Sequence, residues 1–157
     1  MTPHFQFFAS SQIIFRRASA VLLMRRCNTG WMDGWYGLAA GHIEAGETAL
    51  EAAHREAHEE TGIVLALADL RPVHTMHRHN PNDSTYFDIF FEVRSWHGEP
   101  TNAEPDKCDA VVWAPLTQLP DNTIPHVRSA LALVEQGVTY SEFGWQAGQP
   151  ARSTPAT

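Results

Sequence analysis

One helix, marked at both ends and carrying three glutamates on one side, constrains this chain more than any other stretch. Thr48 followed three residues later by Glu51 forms a capping box, and Gly62 stands where a helix C-terminus takes glycine, so the spacing predicts a helix over Thr48 to Thr61. At about 100° per residue, Ala49, Leu50, Ala53 and Ala57 share one face, and small alanines there let the helix sit close to a sheet. Glu56, Glu59 and Glu60 stand at i, i+3 and i+4, within an arc of about 80–100°. Like charges at that spacing destabilise a helix by a few tenths of a kcal/mol, so something should compensate. A solvated acidic face is one answer. A hard divalent cation, which takes oxygen ligands, is the other. Two features favour the cation. The arc lies beside the apolar face, so it falls near the sheet edge. The helix also follows a glycine-bearing loop, Ala40 to Glu47, through which backbone groups can approach a metal–phosphate group closely.

Around this helix the pattern alternates between strand and helix. Ser19 to Arg26 reads as a buried strand, Asn28-Thr29-Gly30 and Asp33-Gly34 as turns, and Trp35 to Ala40 as a short strand. Val73 to His79 follows, then a turn at Asn80 to Asp83. From Tyr86 to Arg94 the residues alternate: Phe87, Ile89, Phe91 and Val93 face one way, and Tyr86, Asp88, Phe90 and Glu92 the other. Residues 98–107 form a loop, Ala110 to Ala114 another strand, and Pro125 to Gln136 a second helix stopped by Gly137. Residues 1–12 read as an edge strand or a loose arm, residues 13–143 as the domain, and residues 144–157 as an unstructured tail. This order predicts a single α/β or α+β domain.

Composition narrows the function. With 157 residues, 43% of them apolar, the chain can bury a core without disulfides. Its 11 basic and 18 acidic residues give a net charge of −7, which argues against a nucleic-acid polymer as partner. Small phosphorylated substrates stay open, because a metal can supply positive charge. No run is long enough for a membrane span. Arg16-Arg17 precedes an apolar run that ends at Arg25-Arg26 with no cleavage site, which reads as a core strand rather than an export signal. Cys27 and Cys108 have no metal spacing and read as thiols of a reducing, cytoplasmic compartment.

The segment Gly41 to Ile63, GHIEAGETALEAAHREAHEETGI, resembles the Nudix box. Gly41, Glu47, Arg55, Glu56, Glu59, Glu60 and Gly62 match its fixed positions, and Ala57 and Ile63 its apolar ones. The strand order and Trp113-Ala-Pro-Leu ahead of Leu119-Pro120 extend the resemblance over about residues 15–137. It implies a MutT-like α/β/α sandwich with a mixed central β-sheet. It also implies a pyrophosphohydrolase that uses Mg²⁺ or Mn²⁺ and an activated water on a nucleoside diphosphate linked to another moiety. Carried over by position, Glu56, Glu59, Glu60 and the Gly41 carbonyl would hold the metal, and Glu47 with Arg55 would orient loop against helix. The general base is a box glutamate or a later loop acid, for which Glu104, Asp106 and Asp109 are candidates. One departure is Ala39-Ala40, where the family often has Pro-Gly.

The expected partner is a small nucleotide, such as a (d)NTP cleaved to monophosphate and pyrophosphate; a homodimer is left open. ADP-ribose or nucleotide-sugar hydrolysis, a catalytically silent nucleotide sensor, and isomerase chemistry on an isoprenoid diphosphate, which would need Cys27 or Cys108, are the alternatives. Trp31, Trp35, Tyr36, Tyr86 and Phe90 are candidates for stacking a base, and Arg78 for bordering the substrate. His77 and His79 share a strand face and are candidate ligands for a metal or a phosphate, with His74 nearby.

Overall fold

Period-two alternation sorts the strand side chains onto two sides. The computed structural model describes residues 4–145. Its elements are β1 (Phe8–Ile14), β2 (Arg16–Arg17), β3 (Ala20–Arg26), β4 (Tyr36–Gly37), β5 (Ala39–His42), α1 (Ala49–Thr61), β6 (Leu70–His79), β7 (Thr85–Val93), β8 (Cys108–Pro115), α2 (Pro125–Glu135) and β9 (Tyr140–Phe143). Ile13, Leu22, Met24, Phe91 and Val93 point to one side and pack with Ala53 and Ala57 of α1. Their neighbours Ile14, Val21, Leu23 and Phe90 point to the other and pack with Val127, Ala130 and Leu131 of α2. A strand buried on both faces reads as a continuous apolar run. The expected α/β/α sandwich is what forms.

The larger sheet runs β5-β1-β7-β6-β9. It is mixed: β1 pairs with β7, and β6 with β9, in parallel, while β1–β5 and β6–β7 are antiparallel. In the smaller sheet β3 pairs antiparallel with β8 along its length, and with β2 and β4. No described helix is long and apolar enough to cross a membrane.

Four points differ from the sequence reading. Residues 8–12 belong neither to a loose arm nor to an edge. They are part of β1, which has β5 on one side and β7 on the other. Their polarity is satisfied inside: Ser10 Oγ donates to Asp88 Oδ1 at 2.7 Å, Ser11 Oγ to the Ala49 carbonyl at 2.7 Å, and Gln12 Nε2 to Ser10 Oγ at 3.2 Å. The strand expected over Trp35 to Ala40 divides at Leu38, because β4 joins β3 while β5 joins β1. β9, unread in the sequence, adds a parallel edge to β6. Trp145, expected in the tail, donates its indole N–H to the His77 carbonyl at 3.0 Å. Residues 146–157 of that tail lie outside the described residues.

α1 forms as its end signals dictate. Glu51 N donates to Thr48 Oγ1 at 3.2 Å, and Thr48 N to the Glu51 carboxylate at 2.8 Å. Gly62 takes the left-handed conformation at φ 74°. Such a cap contributes about 1 kcal/mol. Its buried alanines, Ala52, Ala53 and Ala57, lie against β1 and β5. That close approach carries the glutamates of the helix to the end of β5.

Candidate active site

The loop from β5 into α1 is tied down by one arginine. Arg55 Nη2 and Nε donate to the two Glu47 oxygens at 2.7 and 3.1 Å, and Nη2 also reaches the His42 carbonyl at 3.1 Å. Glu44 N donates to Glu47 at 2.8 Å. These contacts hold the Glu47 carboxyl below the usual carboxylate range. The same guanidinium reaches Glu56 at 2.6 Å and Glu59 at 3.3 Å. The expected orienting pair therefore stands where loop meets helix, and its arginine continues into the carboxylates.

Glu56, Glu59 and Glu60 line one cleft of about 800 Å³, with Gly41, Glu104 and Lys107 beside them. Burial raises the Glu56 carboxyl despite Arg55. Glu60 accepts one hydrogen bond, from Ala40 N at 2.9 Å. Burial and the neighbouring Glu56 and Glu104 push its carboxyl up to about 8. The alanine in place of the family's glycine at position 40 keeps this amide donor. Gly41 is needed for proximity: a Cβ there would lie 1.8 Å from Glu56 Oε1.

These residues fit a divalent cation. The donors are hard oxygens. Burial disfavours charge on Glu56 and Glu60, a cost a bound cation would offset, and the bare backbone of Gly41 lies against Glu56. Among the described residues no three His, Cys, Asp or Glu side chains already converge as a ligand set; Arg55 draws Glu56 and Glu59 to itself. Of the loop acids, Glu104 lines the cleft, whereas Asp106 and Asp109 do not. Asp109 sits at a bulge, where the β3–β8 register jumps from Ala110 to Cys108, and its carboxylate is held by Arg25 Nε at 2.6 Å.

The other wall of the cleft carries aromatic and basic side chains. Of the candidates named from the sequence, Trp31, Arg78 and Tyr86 line it, together with Gln12, Arg26 and His126, which the sequence reading missed. Arg78 lies over the Tyr86 ring at 4.3 Å and pairs with buried Asp88. Phe90 is a correction: it shares the strand face of Tyr86 but is fully buried in the core under α2. Burying such a ring is worth about 1.5–3 kcal/mol, and it stacks on no base. Trp35 and Tyr36 pack against the same core and do not line the cleft. His77 stacks on Phe87 at 4.4 Å, and His79 faces Asp83, both away from the cleft. His74 is buried with both ring nitrogens bonded.

The family model described as the NUDIX domain matches residues 8–134. The chain belongs to the Nudix family. A curated Caenorhabditis elegans relative named "Putative nudix hydrolase 1" is 29% identical over 142 residues, 87% of this chain but 37% of that protein, so the chain spans little more than a third of it. The crystal structure of a MutT NUDIX hydrolase from Burkholderia pseudomallei has a TM-score of 0.75 at 26% identity, covering 82% of this chain and 98% of the other. An ADP-ribose pyrophosphatase from Streptococcus suis has a TM-score of 0.60 at 14% identity, covering 88% of this chain and 98% of the other, and shares the fold. The Nudix box thus coincides with the carboxylate wall of the cleft.

Proposed function

We propose that this Nudix domain is a Mg²⁺-dependent hydrolase, with Mn²⁺ as a substitute, that cleaves the diphosphate linkage of a small nucleotide such as a nucleoside triphosphate. One observation carries the reading: the box glutamates and Glu104 line the same cleft as Trp31, Tyr86 and Arg78. Glu56, Glu59, Glu60 and the Gly41 carbonyl would hold the cation. Bound there, it would neutralise charge on the diphosphate oxygens and acidify a water.

The chain's own groups do the rest. Arg55 fixes the β5–α1 loop to the carboxylates, so the acids are positioned before substrate arrives. Arg26 and Lys107 line the cleft and meet the phosphate charge. Glu104, whose partner is Lys107 Nζ at 2.9 Å, is the loop acid placed to take the proton of the attacking water.

A panel of nucleoside triphosphates, ADP-ribose, nucleotide sugars and dinucleoside polyphosphates, with products identified by phosphorus NMR, tests the reading. A nucleoside triphosphate should yield monophosphate and pyrophosphate with Mg²⁺, and nothing in EDTA. Glu59→Gln should lower kcat by about 10²-fold or more. Full turnover in EDTA, or no turnover of any member, would overturn it.

A further inference from the structure

His126 is an anomaly among the buried histidines. It is 6% exposed, on the first turn of α2, and lines the cleft. His74, 2% exposed, has both ring nitrogens bonded, to the Val138 carbonyl and Ser141 Oγ, each at 2.8 Å. Among the described residues the His126 imidazole has no hydrogen-bond partner. Its ring nitrogens are not sealed off from the cleft, so they stand free to bond a ligand there. Burial and the nearby Arg78 lower its pKa to about 4, so near neutrality it offers one donor and one acceptor.

Trp31 is the reverse case, an exposed ring held in place. It is 45% exposed and lines the same cleft, with its ring centroid 6.2 Å from that of His126. Its loop is pinned from within. Asp33 accepts from Thr29 N and Gly30 N at 3.0 Å each and from Thr29 Oγ1 at 2.6 Å. Arg26 Nε donates to the Trp31 carbonyl at 2.9 Å, and the Arg26 guanidinium lies 5.0 Å from the indole centroid. An indole fixed on a rigid loop loses little freedom on binding, as a stacking platform requires. Gln12, 7% exposed, spends its amide N–H on Ser10 and leaves its carbonyl oxygen without a partner among the described residues.

Resting on the proposed function, we propose that Trp31 and His126 form the nucleobase subsite of this cleft, the indole stacking on the base and the neutral imidazole reading its edge. The chemistry suits a base better than a phosphate. The cation next to His126, Arg78, is held by Asp88, and the groups gathered with it include a π-face, an imidazole and an amide oxygen, which match a base. Substrate choice then depends on the wall opposite the carboxylates.

Trp31→Ala, His126→Leu and His126→Gln test this in two arms. The first is calorimetry of the metal-free protein with adenosine, guanosine, cytidine and uridine monophosphates, with ribose 5-phosphate as the baseless control. At least one monophosphate should bind more tightly than ribose 5-phosphate. Trp31→Ala and His126→Leu should each weaken it about tenfold, and His126→Gln, which keeps a donor and an acceptor, should recover part of the loss. The second arm is turnover. Trp31→Ala should raise KM for the nucleotide about tenfold, a larger change than in kcat. Thermal unfolding checks that each variant is folded. If the panel finds no substrate, the first arm alone decides, so the subsite can stand or fall apart from the reaction. Equal affinity for ribose 5-phosphate and every nucleoside monophosphate, or Trp31→Ala and His126→Leu variants that bind the preferred monophosphate as the parent does, would overturn the subsite.

Discussion

Gly41→Ala separates the carboxylate cradle from the stability of the fold. The added Cβ would stand 1.8 Å from Glu56 Oε1 and 2.1 Å from its Cδ, where real contacts stay beyond 3.0 Å. The strand cannot give way, because Gly41 is paired to Ser11 inside the β1–β5 ladder. The Glu56 carboxylate must therefore retreat by more than an ångström, leaving both Arg55 and the cleft. Displacements of that size at a reacting centre cost about 10²-fold in rate. The fold loses little by comparison. The part-buried Arg55–Glu56 hydrogen bond is worth about 1.5–3 kcal/mol at most, and replacing glycine by alanine within a strand returns about 0.5–1 kcal/mol. Steady-state kinetics with Mg²⁺ should show kcat down about 100-fold, isothermal calorimetry a weakened divalent site, and thermal unfolding a midpoint lowered by a few degrees. A Gly41→Ala protein with kcat within about three-fold of the parent would refute the assignment of Glu56 to the cation cradle.

Two further outcomes follow from the same geometry. Glu104→Gln should lower kcat by about 10²-fold, and Asp109→Asn, whose parent side chain is committed to Arg25, should stay within about three-fold; parallel kinetics of the two would show equal losses if the loop base were misassigned. His126 sets an acid limit on stability. Folded, it takes a proton only near pH 4, while the unfolded chain takes one near 6.5, so stability is complete above 6.5 and falls as pH drops toward 4. Arg78 and Asp88 are the charges acting on it. The loss amounts to about 3 kcal/mol. Denaturant titrations at pH 7 and 4.5 should show a smaller pH dependence for His126→Gln, and equal dependence in both proteins would remove His126 as the cause.

What could be read in the sequence is what depends on neighbours along the chain. Thr48, Glu51 and Gly62 close α1 through contacts within the helix and its caps, so its span was legible to within a residue. The seven fixed box positions likewise lie on one continuous stretch, from β5 through the loop and α1 to its C-cap. β1 was not legible, because Ser10 is a polar residue whose partner, Asp88, lies 78 positions away. Alternation placed Phe90 on the face of Tyr86 but carries no information on depth, and depth divides a core ring from one that borders the cleft. The bulge that carries Asp109 away from the cleft leaves no local trace, since it is a property of two paired strands. His126 carries no signal of its own at a helix start; only the distant loop bearing Trp31 makes it part of a cleft.

The parallel pairing of β1 with β7 has a consequence for synthesis. β1 emerges before its parallel companion β7 and must wait for it until Val93 has been added, after the whole of α1. β5, which carries Gly41, holds to the larger sheet only through β1. A nascent chain can thus wind its acidic helix early, yet the sheet beside it is not complete until that late strand docks, and such long-range closure is slow. Vectorial translation therefore delivers the box acids before the strand that completes the sheet beneath them.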